Sequence, residues 1–225
     1  MKIKILHIIN GLERGGAEAC LYNLIINTKE YKNYVISLKD KGKYGVLLER
    51  EGVSVFYLNL SRNTNFINKF LDLIILIKKI KPDVVQTWMY HANLIGGCAA
   101  YLAKSRKIIW GIHHTSLDLS VNKKLTIFVA KINSLLSYFI PKKIITCADK
   151  SKHVHIKFGF MKKKFIVIPN GVNIKKFRKS ENLRTAYREK LGIKNNEILY
   201  GTIARFEPIK DHLTLIKSIK KLKDD

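Results

Sequence analysis

Short apolar runs alternate with longer segments of helical period from residue 2 to residue 170, and few architectures accept that order. KIKILHII predicts a strand and AEACLYNLIIN a helix. YVISL is the next strand, YGVLLEREG a helix ending at Gly52, and VSVFYL a strand again. FINKFLDLIILIKKI sets Phe66, Phe70, Leu73, Ile74, Ile77 and Ile80 on one helical face, and Pro82 closes it. DVVQTW, KIIWGI, KIITC and KFIVIPNG predict further strands. Between them ANLIGGCAAYLAK, NKKLTIFVAKINSLLSYF and DKSKHVHIKF predict helices. The expected fold is therefore α/β: a Rossmann-like parallel sheet with helices on both faces.

Residues 171–196 break this rhythm. They are polar and lysine-rich, and predict a linker with one short helix, LRTAYREKLG. ILYGTIARF then predicts a fresh strand and KDHLTLIKSIKKLK a helix. One strand and one helix cannot bury both faces of a sheet. The expectation is a first domain over 1–170, a linker over 171–196, and over 197–225 only the opening of a second, incomplete α/β domain.

Charge narrows the partners. With 42 Lys+Arg against 17 Asp+Glu the formal net charge is +25. That balance favours nucleic acid, an anionic membrane face or phosphorylated substrates, although much of the lysine can be a solvated face. No recognisable nucleic-acid signature accompanies it, and the aromatics lie within apolar segments instead of among the lysines, so a non-catalytic basic nucleic-acid binder is the alternative and not the leading expectation. Cys20, Cys98 and Cys147 are far apart and form no CxxC pair, which predicts reduced thiols in a cytoplasmic protein, with neither zinc nor disulfides. MKIKILHII is too short for a signal peptide. The run LTIFVAKINSLLSYFI is broken by Lys131, Asn133 and Ser134 and falls short of the roughly 20 residues a spanning helix needs. The segment 122–143 combines Lys123, Lys124, Lys131, Lys142 and Lys143 with Leu125, Ile127, Phe128 and Leu136. It reads either as a core-facing helix or as a basic amphipathic surface for peripheral contact with an anionic membrane, on the inner face of the cytoplasmic membrane.

In an open α/β sheet ligands sit beyond the carboxyl ends of the strands, so the candidate site residues are those that leave each strand. NGLERGGAE is neither the dinucleotide fingerprint nor a P-loop. Its Gly15 and Gly16 either turn a corner or let backbone N–H groups approach an anion at a helix start. His113 and His114 follow KIIWGI; neighbouring strand residues point to opposite faces, so one of them should face the cleft and chelation by the pair is not expected. His91 follows DVVQTW in a similar place. Pro169, Asn170 and Gly171 form a turn at a strand end that also suits a hinge. Arg205 and Lys210 stand five residues apart around a helix start, where a guanidinium and an ammonium can clamp a diphosphate. No carboxylate cluster suggests a metal, and no cofactor is expected.

These stretches in this order resemble the family 4 retaining glycosyltransferases of the two-domain GT-B fold: NGLERGGAE, HHT, IPNGVN and ARFEPIKDHLTLIKSI. The resemblance runs over essentially the whole chain and implies an N-terminal acceptor domain followed by the start of a donor domain. It implies transfer of a hexosyl group from a nucleotide-diphosphate sugar, with retention, to a glycan or lipid-linked acceptor in cell-surface polysaccharide synthesis. By the same resemblance Gly15, Gly16, Asn170 and Gly171 lie near the donor. Arg205 and Lys210 neutralise the departing diphosphate, and His114, with His113 as fallback, contacts the transferred sugar. Family members continue with a base and ribose pocket and a paired-glutamate E-x7-E motif. Glu181 with Glu189, and Glu189 with Glu197, have that spacing but precede ARFEPIKDH, so the match is coincidental. A chain of 225 residues that stops before the motif is expected to be inactive alone. A nucleotide-sugar epimerase or another two-domain enzyme of similar build is the remaining alternative.

Overall fold

The computed structural model describes residues 2–61, 64–119, 122–175, 177–207 and 210–224. They fall into two compact units, Met1–Asn170 and Gly171–Asp225.

The first unit alternates strand and helix as its hydrophobic pattern demands. Strands β1 (Lys4–Ile9), β2 (Lys32–Ser37), β3 (Ser54–Tyr57), β4 (Val84–Trp88), β5 (Ile108–Ile112), β6 (Lys143–Thr146) and β7 (Phe165–Val167) form one sheet in the order β3-β2-β1-β4-β5-β6-β7. Every neighbouring pair is parallel; Ile9 sits opposite Ser37 on one side and Trp88 on the other. The helices between them are α1 (Gly16–Ile26), α2 (Gly42–Arg50), α3 (Phe66–Ile80), α4 (Met89–Leu102), α5 (Lys124–Leu136) and α6 (Asp149–Phe158).

Alternation along each strand sends side chains to two separate cores. Leu6, Ile8, Ile36, Val85, Trp110 and Ile144 pack on one face with Leu73 and Ile77 of α3, Ala99 and Ala100 of α4, and Val129 and Ala130 of α5. Ile9, Val35 and Trp88 pack on the other with Leu21 and Ile25 of α1 and Leu48 of α2. The pair Gly96–Gly97 lets α4 settle onto the sheet. A Cβ at Gly96 would come within 2.8 Å of Ile8 Cγ2, and one at Gly97 within 2.7 Å of Trp110 Nε1. Helix α3 is capped by Asn65, whose side-chain oxygen accepts from Ile67 N and Asn68 N at 3.0 and 3.2 Å. It ends at Lys81, in the left-handed region just before Pro82. Of the face expected on α3, Leu73, Ile77 and Ile80 are buried, whereas Phe66 is exposed.

The second unit contains helices α7 (Glu181–Lys190) and α8 (His212–Asp224). The strand expected over 198–206 is not formed among the described residues, and Ile203 and Phe206 are fully exposed. A parallel strand gains its ladder and its buried faces only from neighbours, and among the described residues this segment has none. Arg188 organises the unit instead, its guanidinium donating to the carbonyls of Lys194 and Glu197.

Candidate functional site

The strand order reverses between β1 and β4, so the crevice beyond their carboxyl ends is where an open α/β sheet receives a ligand. Three connections meet there: the loop from Asn10 to Gly15, the β4–α4 junction, and His113–His114 after β5.

The β4–α4 junction has no loop. Helix α4 begins at Met89 immediately after Trp88, and Met89 absorbs the change of direction with φ +70°, a left-handed conformation that costs a side-chain-bearing residue about 1–3 kcal/mol. Trp88 and Tyr90 are thereby thrown to opposite faces of the sheet, one joining each core. His113 and His114 part in the same way, and each imidazole meets one of these aromatics. His113 stacks on Trp88 with centroids 5.1 Å apart, and His114 stacks on Tyr90 at 5.0 Å.

Each stack rests on a further, fully buried histidine. The indole N–H of Trp88 donates to His7 Nδ1 at 3.3 Å. That nitrogen must then be the acceptor, so His7 carries its proton on Nε2 and donates it to Asn33 Oδ1 at 3.3 Å. On the other face His155 Nδ1–H donates to Ser151 O at 2.7 Å, leaving Nε2 to accept from the Tyr90 hydroxyl. Burial holds His7 down to about 4 against the Asn33 hydrogen bond, and holds His155 down to about 4 as well. Both are neutral at pH 7. Polar ties fix the surrounding backbone: Thr87 Oγ1 donates to Asn93 Oδ1 at 2.6 Å, Asn93 Nδ2 to Gly111 O at 3.2 Å, and Ser151 Oγ to His114 O at 2.6 Å.

The two site histidines differ in setting. His113 lines a slot of about 210 Å³ with Leu24, Trp88, Cys147, Ile168 and Asn170, and burial, then His114, lowers it to about 4. His114 is lowered by burial and then by His91, and its Nδ1 is buried with no hydrogen-bond partner among the described residues. His91, which the sequence put between the strand DVVQTW and a helix beginning at Ala92, lies in the first turn of α4, half-buried, and is lowered by burial and then by the Lys39 charge. An imidazole kept neutral at pH 7 acts as a hydrogen-bond partner, not as a cation or a standing acid.

Of the glycine loop, Gly15 is the extended residue before α1 and Gly16 its first helical residue. A Cβ on Gly16 would meet nothing within 4 Å, whereas one on Gly15 would collide with the Glu18 carboxylate. That carboxyl is pushed up by burial. An anion at this helix start therefore requires Glu18 to be protonated or displaced. Asn170 Oδ1 accepts from Cys20 Sγ at 3.6 Å, tying the end of the β7 connection to α1, and Gly171 opens the second unit. There Arg205 and Lys210 share a turn built on Glu207. Arg205 Nη1 pairs with Glu207 Oε1 at 2.8 Å, and Lys210 N donates to Glu207 O at 2.9 Å. Both cations are exposed; Arg205 does not leave a strand end as expected, whereas Lys210 stands just before α8, at the helix start expected for it. Among the described residues no group of three or more His, Cys, Asp or Glu is arranged to hold a metal.

Sequence reasoning missed His7, Asn33, Trp88, Tyr90 and His155. The available signal was a histidine inside the apolar strand KILHII, since a polar residue in a two-sided buried strand needs a partner.

A parallel sheet of this order, with helices on both faces, defines a Rossmann-like α/β domain. The profile of Glycosyltransferase Family 4 matches residues 14–176, and the chain belongs to that family. Among curated relatives it is 26% identical over 228 residues to an Escherichia coli UDP-Gal:alpha-D-GlcNAc-diphosphoundecaprenol alpha-1,3-galactosyltransferase, covering 97% of this chain and 58% of the relative. It is 26% identical to the Staphylococcus aureus capsular polysaccharide biosynthesis glycosyltransferase CapH, covering 99% and 59%. The crystal structure of Anabaena Alr3699/HepE in complex with UDP superposes with a TM-score of 0.82 at 21% identity, covering 97% of this chain and 58% of that one. The chain thus spans less than two thirds of the length of the relatives it matches.

Proposed function

We propose that this chain supplies the acceptor-binding domain, and the opening of the donor-binding domain, of a retaining glycosyltransferase. The reaction moves a hexosyl group from a nucleotide-diphosphate sugar to a glycan or lipid-linked acceptor in cell-surface polysaccharide synthesis at the cytoplasmic side of the membrane. The observation that carries the reading is His114: a neutral imidazole backed by Tyr90, one ring nitrogen unspent, beside the switch point of the sheet. Such a group suits a hydrogen bond to a sugar hydroxyl, which strengthens as the ring flattens toward its oxocarbenium-like transition state. His91, close enough to His114 for its charge to be felt there, and His113, in the slot beside Trp88, are the candidate acceptor contacts.

Leaving-group departure is the second requirement. Breaking the anomeric bond places negative charge on the diphosphate, and Lys210, with Arg205 once released from Glu207, is suited to stabilise it without a metal. Gly15, Gly16, Asn170 and Gly171 supply backbone that can come close to the donor. The UDP complex of HepE and the UDP-galactose donor of the E. coli relative support a uridine-diphosphate sugar. The test is transfer of labelled hexose from a panel of nucleotide sugars to a polyprenyl-diphosphate-linked sugar, using protein expressed from its native gene. Transfer from one donor that His114→Ala abolishes is expected; wild-type turnover by that variant overturns the assignment.

A further inference from the structure

At the amino ends of β4 and β5, on the edge of the sheet opposite the crevice, the chain forms an open basin of about 580 Å³. Strand β4 is five residues long, which sets the two edges about 17 Å apart. One bank of the basin is the end of α3, with Lys78 and Lys81. The other is the connection from α4 to β5, with Lys104, Arg106 and Lys107. All five cations are exposed. The one carboxylate in the lining, Asp83, has its Oδ2 taken by the backbone N–H of Lys4 at 2.8 Å.

Helix ends do not account for so much charge. Both α3 and α4 finish here, and a helix C-terminus carries about half a negative charge. Those two ends and Asp83 together offset about two of the five cations, which leaves about three positive charges uncompensated. Elsewhere in this unit lysines find carboxylates, as in Lys29–Glu51, Lys41–Glu49 and Lys69–Asp72. None of the five makes an ion pair among the described residues.

The banks are also fixed. Lys81 and Lys104 follow their helices in the left-handed region, at φ +51° and +61°, where glycine is the ordinary choice. Asp83 N–H donates to Lys4 O and Val85 N–H to Lys107 O, each at 2.9 Å, so the strand starts beneath the cations are tied to their neighbours. An excess of this size around one concavity exceeds what a single carboxylate neutralises and matches two or three linked phosphates. Arg106 offers a planar fork to such a chain and the lysines offer point charges. No lining residue is aromatic, so nothing in the basin stacks on a nucleobase.

We infer that this basin binds small anions carrying phosphate groups in tandem, a diphosphate or triphosphate chain recognised without its nucleoside. The inference stands independently of the transfer reading, whose phosphate contacts, Arg205 and Lys210, belong to the other unit.

The test is calorimetric titration of the 225-residue chain with inorganic tripolyphosphate, uridine triphosphate and orthophosphate. The two triphosphates should bind alike and weaken as salt rises, and orthophosphate should bind about tenfold less tightly or worse. No saturable binding of tripolyphosphate at low salt, or a clear preference for the nucleotide, overturns the inference. The nucleotide comparison is repeated with Arg205→Ala and Lys210→Ala, so that cations of the second unit cannot supply it; loss of tripolyphosphate binding in that variant overturns the placement. Lys104→Gln with Arg106→Gln should weaken tripolyphosphate about a hundredfold, about tenfold for each charged contact removed. Lys142→Gln with Lys143→Gln takes the same charge from the start of β6 and should change affinity less than about twofold. Equal loss in these two variants would reduce the effect to general attraction and overturns the site. A readout on the unaltered chain is its amide spectrum: Lys81, Lys104, Ser105 and Arg106 should shift with tripolyphosphate, and shifts confined to the crevice overturn the assignment. So does oligonucleotide binding that outcompetes tripolyphosphate and survives Lys104→Gln with Arg106→Gln.

Discussion

The Trp88 indole and the His113 imidazole lie face to face, with centroids 5.1 Å apart and planes 11° from parallel. The indole is itself held by His7, so the orientation of a crevice imidazole is determined by a hydrogen bond in the interior of β1. Trp88→Phe keeps a ring under His113 but leaves His7 Nδ1 buried without a donor. The expected loss is about 1–3 kcal/mol in urea unfolding. Trp88→Ala removes the cover instead, and the His113 titration followed by NMR should rise toward the ordinary histidine value of about 6.5.

Acid should destabilise the first unit well before its carboxylates protonate. His7 and His155 titrate near 4 when folded and near 6.5 when unfolded, so the unfolded chain binds more protons between those values. Their contribution is complete above about pH 6.5 and is lost as pH falls toward 4, to about 3 kcal/mol for each histidine. Urea midpoints measured from pH 7 to pH 4.5 should fall accordingly. His155→Gln should lower stability at pH 7 and flatten the pH slope by one proton.

Gly97→Ala should be costly although alanine favours helix. Its methyl group would stand 2.7 Å from Trp110 Nε1, so α4 must lift from the sheet, and overpacking of this kind costs about 1–3 kcal/mol. A thermal melt followed by circular dichroism gives the sign. A substitution that raised the melting temperature would show that the helix has room to spare.

Arg205→Ala and Lys210→Ala remove exposed side chains and should leave the unfolding midpoint unchanged. On the proposed chemistry each should cut kcat by about 10²–10³ in the native-gene protein, as loss of a transition-state charge partner does. Wild-type kcat in the double variant would remove both from the leaving-group role.

How far the sequence disclosed this molecule depends on how local each signal is. The strands and helices of residues 4–167 follow from periodicity, down to the bounds of α3 and α6, because each apolar face was written in consecutive turns. The opposite headings of His113 and His114 were equally legible, since the pleat dictates them. What backs those rings was not: His7 lies 81 residues from Trp88, and Tyr90 lies 65 from His155, so neither pair leaves a mark in any short window. The strand expected at 198–206 failed for the converse reason. Its composition is right, but a strand is a property of at least two segments, and among the described residues no second one pairs with it.

The loopless passage from Trp88 through Met89 to Tyr90 works as a ruler without slack. Inserting or deleting one residue there would rotate all that follows and exchange which aromatic ring each imidazole meets. Substitution at Met89 should therefore be forgiven far more readily than any change in the spacing between its two neighbours.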